Sequence, residues 1–119
     1  MNRIVKAYID QHRDVLSALK GQTIDVSKFP SLESEIPDEN LEISQIFPDS
    51  ELDKIWDNFR PYTSGFDIKP FAEIYGNTTL CLGCSESNLG RVYYFDFDFG
   101  CIEMCGSLPE FSKVVLGVW

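Results

Sequence analysis

The chain has 119 residues, with ten Lys and Arg set against nineteen Asp and Glu for a formal net charge of −9, and 44% of its residues are hydrophobic. That length suits one hydrophobic core, and the acidic balance argues against nucleic-acid binding, because the protein would repel a polyanion rather than displace its counterions. With no continuous apolar stretch and with Asp10 inside the N-terminal pattern, neither a signal peptide nor a membrane span is expected, which implies a cytoplasmic protein with reduced thiols.

Arg3 to Lys20 has helical periodicity, with Ile4, Tyr8, Val15 and Leu19 on one stripe and Val5, Ile9 and Leu16 beside it; Gly21 follows as the residue just past the helix. From Gln22 to Asp49 the chain is punctuated by Pro30, Pro37 and Pro48. Its short apolar islands, Ile24 to Val26, Leu41 to Ile43 and Ile46-Phe47, suit brief strands or extended wrapping segments. Ser50 to Asp53 then offers a capping-box start, and Leu52, Ile55, Trp56 and Phe59 keep helical spacing up to Pro61, which is expected to stop the helix.

The region from Pro70 onward is the most informative. An extended run through Tyr75 meets the Gly76-Asn77 pair, where glycine supplies positive φ and asparagine tolerates it, so a tight hairpin into Thr78 to Leu82 is expected. Arg91 to Phe97 is a strand by its aromatic and β-branched content. Alternation sets Val92 and Tyr94 against an aromatic row of Tyr93, Phe95, Phe97 and Phe99, expected to face the core, with Asp96 and Asp98 on the opposite, solvated face. Gly100 interrupts the pattern and Cys101 to Cys105 resumes it. Ser107-Leu108-Pro109-Glu110 forms a capping box for a closing helix with Phe111, Val114, Val115 and Val118 on one side. The elements add up to an α+β fold in one domain over residues 1–119, a mostly antiparallel sheet flanked by an N-terminal, a middle and a short C-terminal helix.

This succession resembles the C-terminal signature of the SUKH superfamily, the group built around the fungal cell-wall regulators Smi and Knr that includes many bacterial immunity proteins. The matching pieces are Phe71-Ala72, Gly76-Asn77, Leu80-Cys81-Leu82, Gly90 to Asp96 and Met104 to Phe111. The resemblance covers about 45 residues, and Met1 to Tyr62 lacks the family's Leu-Pro-x-x-Tyr helix and Asn-Gly-Gly turn. It implies a SUKH-like domain whose matched positions, among them Phe71, Val92, Tyr93, Ser107 and Phe111, hold the fold rather than a site. It also implies a non-enzymatic immunity protein that neutralises a secreted polymorphic or contact-dependent toxin, or alternatively a regulatory interaction module of the fungal type.

No catalytic arrangement stands out. His12 is the sole histidine and has no patterned nucleophile beside it; Asp96 and Asp98 could act as paired carboxylates but read more simply as a solvated face; the glycines form no phosphate loop. A zinc-ribbon-like module is the remaining rival, through Cys81, Cys84, Cys101 and Cys105. Against it, Cys101 and Cys105 share one strand parity and would lie ~13 Å apart if extended. No cofactor and no metal are therefore expected. Negative charge is dense from Asp25 to Asp57, where Lys28 and Lys54 are the basic sequence neighbours. We expect Glu33, Glu35, Asp38, Glu39, Glu42, Asp49, Asp53 and Asp57, with Asp96 and Asp98 secondary, to meet a basic toxin, a nuclease being the chemistry that needs such a surface. Tyr62, Phe66 and Trp56 are candidate anchors, with core packing the plainer role for each.

Overall fold

The strand signals of the second half become the centre of a six-stranded antiparallel sheet whose strands lie in chain order: β1 (Thr23–Asp25), β2 (Asn40–Ile46), β3 (Ile68–Ile74), β4 (Thr78–Gly83), β5 (Val92–Asp96) and β6 (Gly100–Cys105). The computed structural model describes residues 2–63, 65–76 and 78–117; Asn77 and Val118, assigned above to a turn and a helix face, lie outside the described residues. Helices α1 (Asn2–Gln11), α2 (Arg13–Leu19), α3 (Pro30–Glu33), α4 (Leu52–Thr63) and α5 (Leu108–Leu116) complete the expected α+β architecture. The sheet curls. Its edge strands are both met by helices, with α3 packed on β6 and α5 on α2, β1 and β6.

Strand alternation sets the layers. Ile43, Ala72, Ile74, Leu80, Leu82, Val92 and Tyr94 point inward and pack with Val5, Ile9, Leu16, Leu19, Phe29, Leu32, Trp56 and Phe111 in the main core. Ile68, Cys81 and Phe95, with Tyr93 and Cys101, form a smaller cluster on the other face. Alternation along β5 therefore holds, but the expected core side is reversed. Val92 and Tyr94 face the helices, the aromatic row turns outward, and β5 ends at Asp96 so that Phe97, Asp98 and Phe99 form a turn. Asp96 and Asp98 consequently share no strand face.

The N-terminal stripe is one chain segment but two helices. The His12 Nδ1–H donates to the Tyr8 carbonyl at 2.8 Å and the backbone N–H of His12 bonds Ile9, so the turn tightens and the axis breaks at His12. The break redirects the buried face to Val5, Ile9, Leu16 and Leu19, and leaves Ile4 half exposed and Tyr8 and Val15 partly buried. Between the first helices and α4, the islands at 24–26 and 41–46 become β1, a single 3-10 turn and β2. Asp25 caps that turn by accepting from the Ser27 amide at 3.0 Å.

Two punctuation signals around α4 are corrected. A 3-10 turn at Asp49–Glu51 leads in from Pro48 without a side-chain cap, so Ser50 starts no capping box. Pro61 lies inside α4, since a proline in the last turn sacrifices one hydrogen bond while Thr63 bonds back from its hydroxyl to the Phe59 carbonyl. By contrast Ser107 caps α5 as expected, accepting from the Glu110 amide at 3.2 Å with Pro109 in the first turn. Trp56 ties α4 to the sheet: its indole N–H donates to the Pro70 carbonyl at 2.8 Å, and Lys6 and Lys69 lie near its ring.

Gly83 ends β4 where the 84–91 loop folds back, and Gly83 and Leu89 form a parallel bridge. A Cβ at Gly83 would run into the Asn88 backbone carbonyl. We expect Gly83→Ala to destabilise the protein by about 1–3 kcal/mol through overpacking, read as a lower urea midpoint. Gly65→Ala, where a Cβ meets nothing within 4 Å, should stay near the parent.

Candidate partner-binding surface

The sequence-adjacent carboxylates separate in space into two sets. Asp49 is held by Arg13 at 3.0 Å, Asp53 by Lys6 at 2.7 Å, and Asp57 pairs with Arg60 one turn along α4. Lys28 and Lys54 are thus not the only relevant cations. Folding brings Arg13 and Lys6 across from the N-terminal helices, and the α4 flank is largely neutralised.

The second set stays acidic. Glu33 from α3, Asp38 and Glu39 from the lead-in to β2, and Asp25 at the end of β1 line one open hollow of about 470 Å³. Asp25 is partly committed to structure: hydrogen bonds from Ser27, side chain first, hold its carboxyl below the ordinary value, helped by nearby Lys28. Asp38 and Asp96 both raise the pKa of the buried Tyr94 hydroxyl, which burial above all pushes up to about 12. Glu35 lines a neighbouring hollow with Phe99 and Glu103, so the acidic segment also reaches the β5–β6 turn. Glu42 is exposed on β2 opposite Thr23.

That turn is firmly built. Asp96 Oδ1 accepts from the amides of Asp98 at 2.6 Å and Phe99 at 3.2 Å, while Oδ2 accepts from the Tyr94 hydroxyl at 3.3 Å. Asp96 is therefore a turn-forming residue first. Phe97 is held outward at 58% exposure, with Phe99 also exposed. Phe97 meets Tyr62 edge-to-face at 4.9 Å between centroids and Phe95 at 5.6 Å; Phe66 meets Phe95 at 6.3 Å. Phe66 is carried by the turn after α4, where the Asp67 carbonyl accepts from the Cys84 amide at 2.9 Å. Tyr62 and Phe66 are thus surface residues, as the anchor reading requires, whereas Trp56 is only 2% exposed and belongs to the core. Sequence reasoning missed Phe97 and Phe99, which it assigned to the interior. The signal that could have found them is Asp-x-Asp-x-Gly at 96–100, a turn pattern inside an apparent strand.

The four cysteines do not converge. Cys81 and Cys101 lie on the outer face, Cys84 and Cys105 in the main core. A β-bulge at Met104 shifts the register, pairing Cys105 with Val92 and Glu103 with Tyr93, so Cys101 and Cys105 do not share a face despite their spacing. Among the described residues no three His, Cys, Asp or Glu side chains gather to hold a metal, and the sheet is not a zinc ribbon. Again among the described residues, no helix is long and apolar enough to cross a membrane.

A model of the RhsPI family matches residues 18–115, most of the chain. The chain belongs to this family of Rhs-associated immunity proteins, whose partners are cognate toxins. No curated protein matches it.

Two outcomes follow from the geometry. Asp96→Ala should cost about 0.5–2 kcal/mol, by analogy with the loss of a helix cap, and speed amide exchange at Phe99, whereas Asp96→Asn should keep most of both. The second concerns the thiols. Burial pushes Cys81 up to about 12, and Cys101 and Cys105 up to about 11, from an ordinary value of 9.0. Between those limits the unfolded chain loses protons that the folded one keeps, so this stability is complete below about pH 9 and declines as pH rises towards 11–12. Urea midpoints should fall over that range, and less steeply for Cys81→Ala.

Proposed function

We propose that this RhsPI-family chain is a SUKH-like, non-enzymatic immunity protein that binds the toxin domain of a cognate Rhs protein and blocks it by occupying a basic surface, as on a nuclease. The observation that carries this reading is the gathering of Glu33, Asp38 and Glu39 with Asp25 around one hollow, while Glu35 lines a second hollow with Phe99 at the β5–β6 turn. Carboxylates so placed give the end a negative potential that steers a cationic partner and repels nucleic acid. The SUKH-like reading is supported by the order of the sheet hairpins and by the burial of Phe71, Val92 and Phe111, three of the residues matched to that signature. The absence of catalysis is in keeping with the family role.

Within this proposal Glu33, Glu35, Asp38, Glu39 and Glu42 supply most of the attraction; Asp98 adds to it, and Asp49, Asp53 and Asp57 contribute little because each already has a cation. Co-expression with the toxin domain should rescue growth. The fivefold variant Glu33→Gln, Glu35→Gln, Asp38→Asn, Glu39→Gln and Glu42→Gln should associate ~10-fold more slowly at low salt, with a flatter salt dependence and nearly unchanged melting. Equal association rates at every ionic strength would remove the electrostatic part of the reading.

A further inference from the structure

We infer that the β5–β6 turn is the anchoring element of the toxin interface, with Phe97 and Phe99 inserting into the toxin and Tyr62 supporting Phe97. This rests on the immunity reading above and adds the surface through which it operates. Three observations carry it.

The first is exposure without disorder of purpose: Phe97 and Tyr62 stand 58% and 55% exposed, yet they pack edge-to-face against each other. The exposed aromatic pair is continuous with buried Phe95, on which exposed Phe66 also packs, so these rings form one apolar step at the surface. The second is preorganisation. Asp96 fixes the turn from within through the amides of Asp98 and Phe99, and Gly100 leaves it at φ +86°. A Phe97 ring packed between Tyr62 and Phe95, on a turn whose backbone is held at Phe99, loses little conformational freedom on binding, which favours a slow off-rate.

The third observation identifies the occupant. Carboxylates lie beside the rings: Glu73, which accepts from the Ser44 hydroxyl at 3.0 Å, shares a hollow of about 410 Å³ with Phe59 and Phe97, and Glu35 shares another with Phe99 and with Glu103, which Arg91 already pairs at 3.1 Å. Asp98 separates Phe97 and Phe99 in the chain and makes no ion pair among the described residues. Such alternation of ring and carboxylate fits a cationic segment of the toxin, whose arginines can stack on a ring while pairing with the neighbouring acid. A second copy of this chain would bring together two acidic surfaces, and a net charge of −9 opposes that.

The test is binding of the purified toxin domain to the parent protein and to Phe97→Ala, Phe99→Ala and the double variant, with Ile4→Ala as an exposed apolar control on α1. Phe97→Ala should weaken binding ~10- to 100-fold, mainly through faster dissociation, at an unchanged melting temperature, and Ile4→Ala should remain within about twofold. Phe97→Lys should weaken binding further by setting like charge against the cationic segment. Parent-like affinity in the Phe97 and Phe99 variants, with the parent still binding, overturns the inference and leaves the immunity reading standing. Failure of the parent itself to bind or protect removes both. Loss of a dimer in the variants with toxin binding intact would assign the turn to self-association and also overturn it.

Discussion

Strand alternation under a single layer of helices is the constraint from which the rest follows. Once Val92 and Tyr94 are buried beneath the helices, Tyr93 and Phe95 must point the other way. Each buried large side chain is worth about 1.5–3 kcal/mol, so a register that exposed Val92, Tyr94, Leu80 and Leu82 together would be heavily penalised. The outer face is therefore obliged to be aromatic. It is only partly covered, by Phe66 and the end of α4, and the aromatic run continues past the last paired residue into an exposed turn.

The curl decides the electrostatics. Read along the chain, Glu33 to Asp57 is one acidic block; in three dimensions it divides according to what packs against it. Where α1 and α2 approach α4, Lys6 and Arg13 meet Asp53 and Asp49. Where α3 crosses towards β6, no described basic side chain pairs with Glu33, Asp38 or Glu39. Exposed pairs of this kind stabilise folding little, but they determine which part of the surface projects a field. Formal charge thus overstates the α4 flank and understates the end near Tyr94.

The later elements were legible because their signals are local. A glycine between two apolar runs, an aromatic strand and a Ser-x-x-Glu start each specify a backbone conformation over a few residues, and β3 to β6 and α5 form where those signals lie. What eluded the sequence depended on neighbours distant in the chain or on interruptions of regular period. His12 breaks a helix through a bond to its own preceding turn, Met104 inserts one residue and moves Cys105 to the core, and Asp96 ends a strand by capping the next two amides. Periodicity identifies two faces but not which is covered. That choice rests on the helices, which are specified elsewhere in the chain, and it reversed the assignment of the aromatic row.

Charge and aromatic anchoring then have separable roles. A negative end acts at distances of roughly 10 Å, the screening length at moderate salt, and so governs how often a basic partner arrives in the right orientation. Exposed rings on a turn act only at contact, where they govern how long it stays. The β5–β6 turn joins the two, because Glu35 reaches Phe99 from one side and Tyr62 reaches Phe97 from the other. An inhibitor that works by occupancy needs both a fast approach and a slow departure. Placing them on adjoining parts of one surface lets either change by substitution at exposed positions, Phe97 and Phe99 standing outside the main core although Phe97 touches buried Phe95.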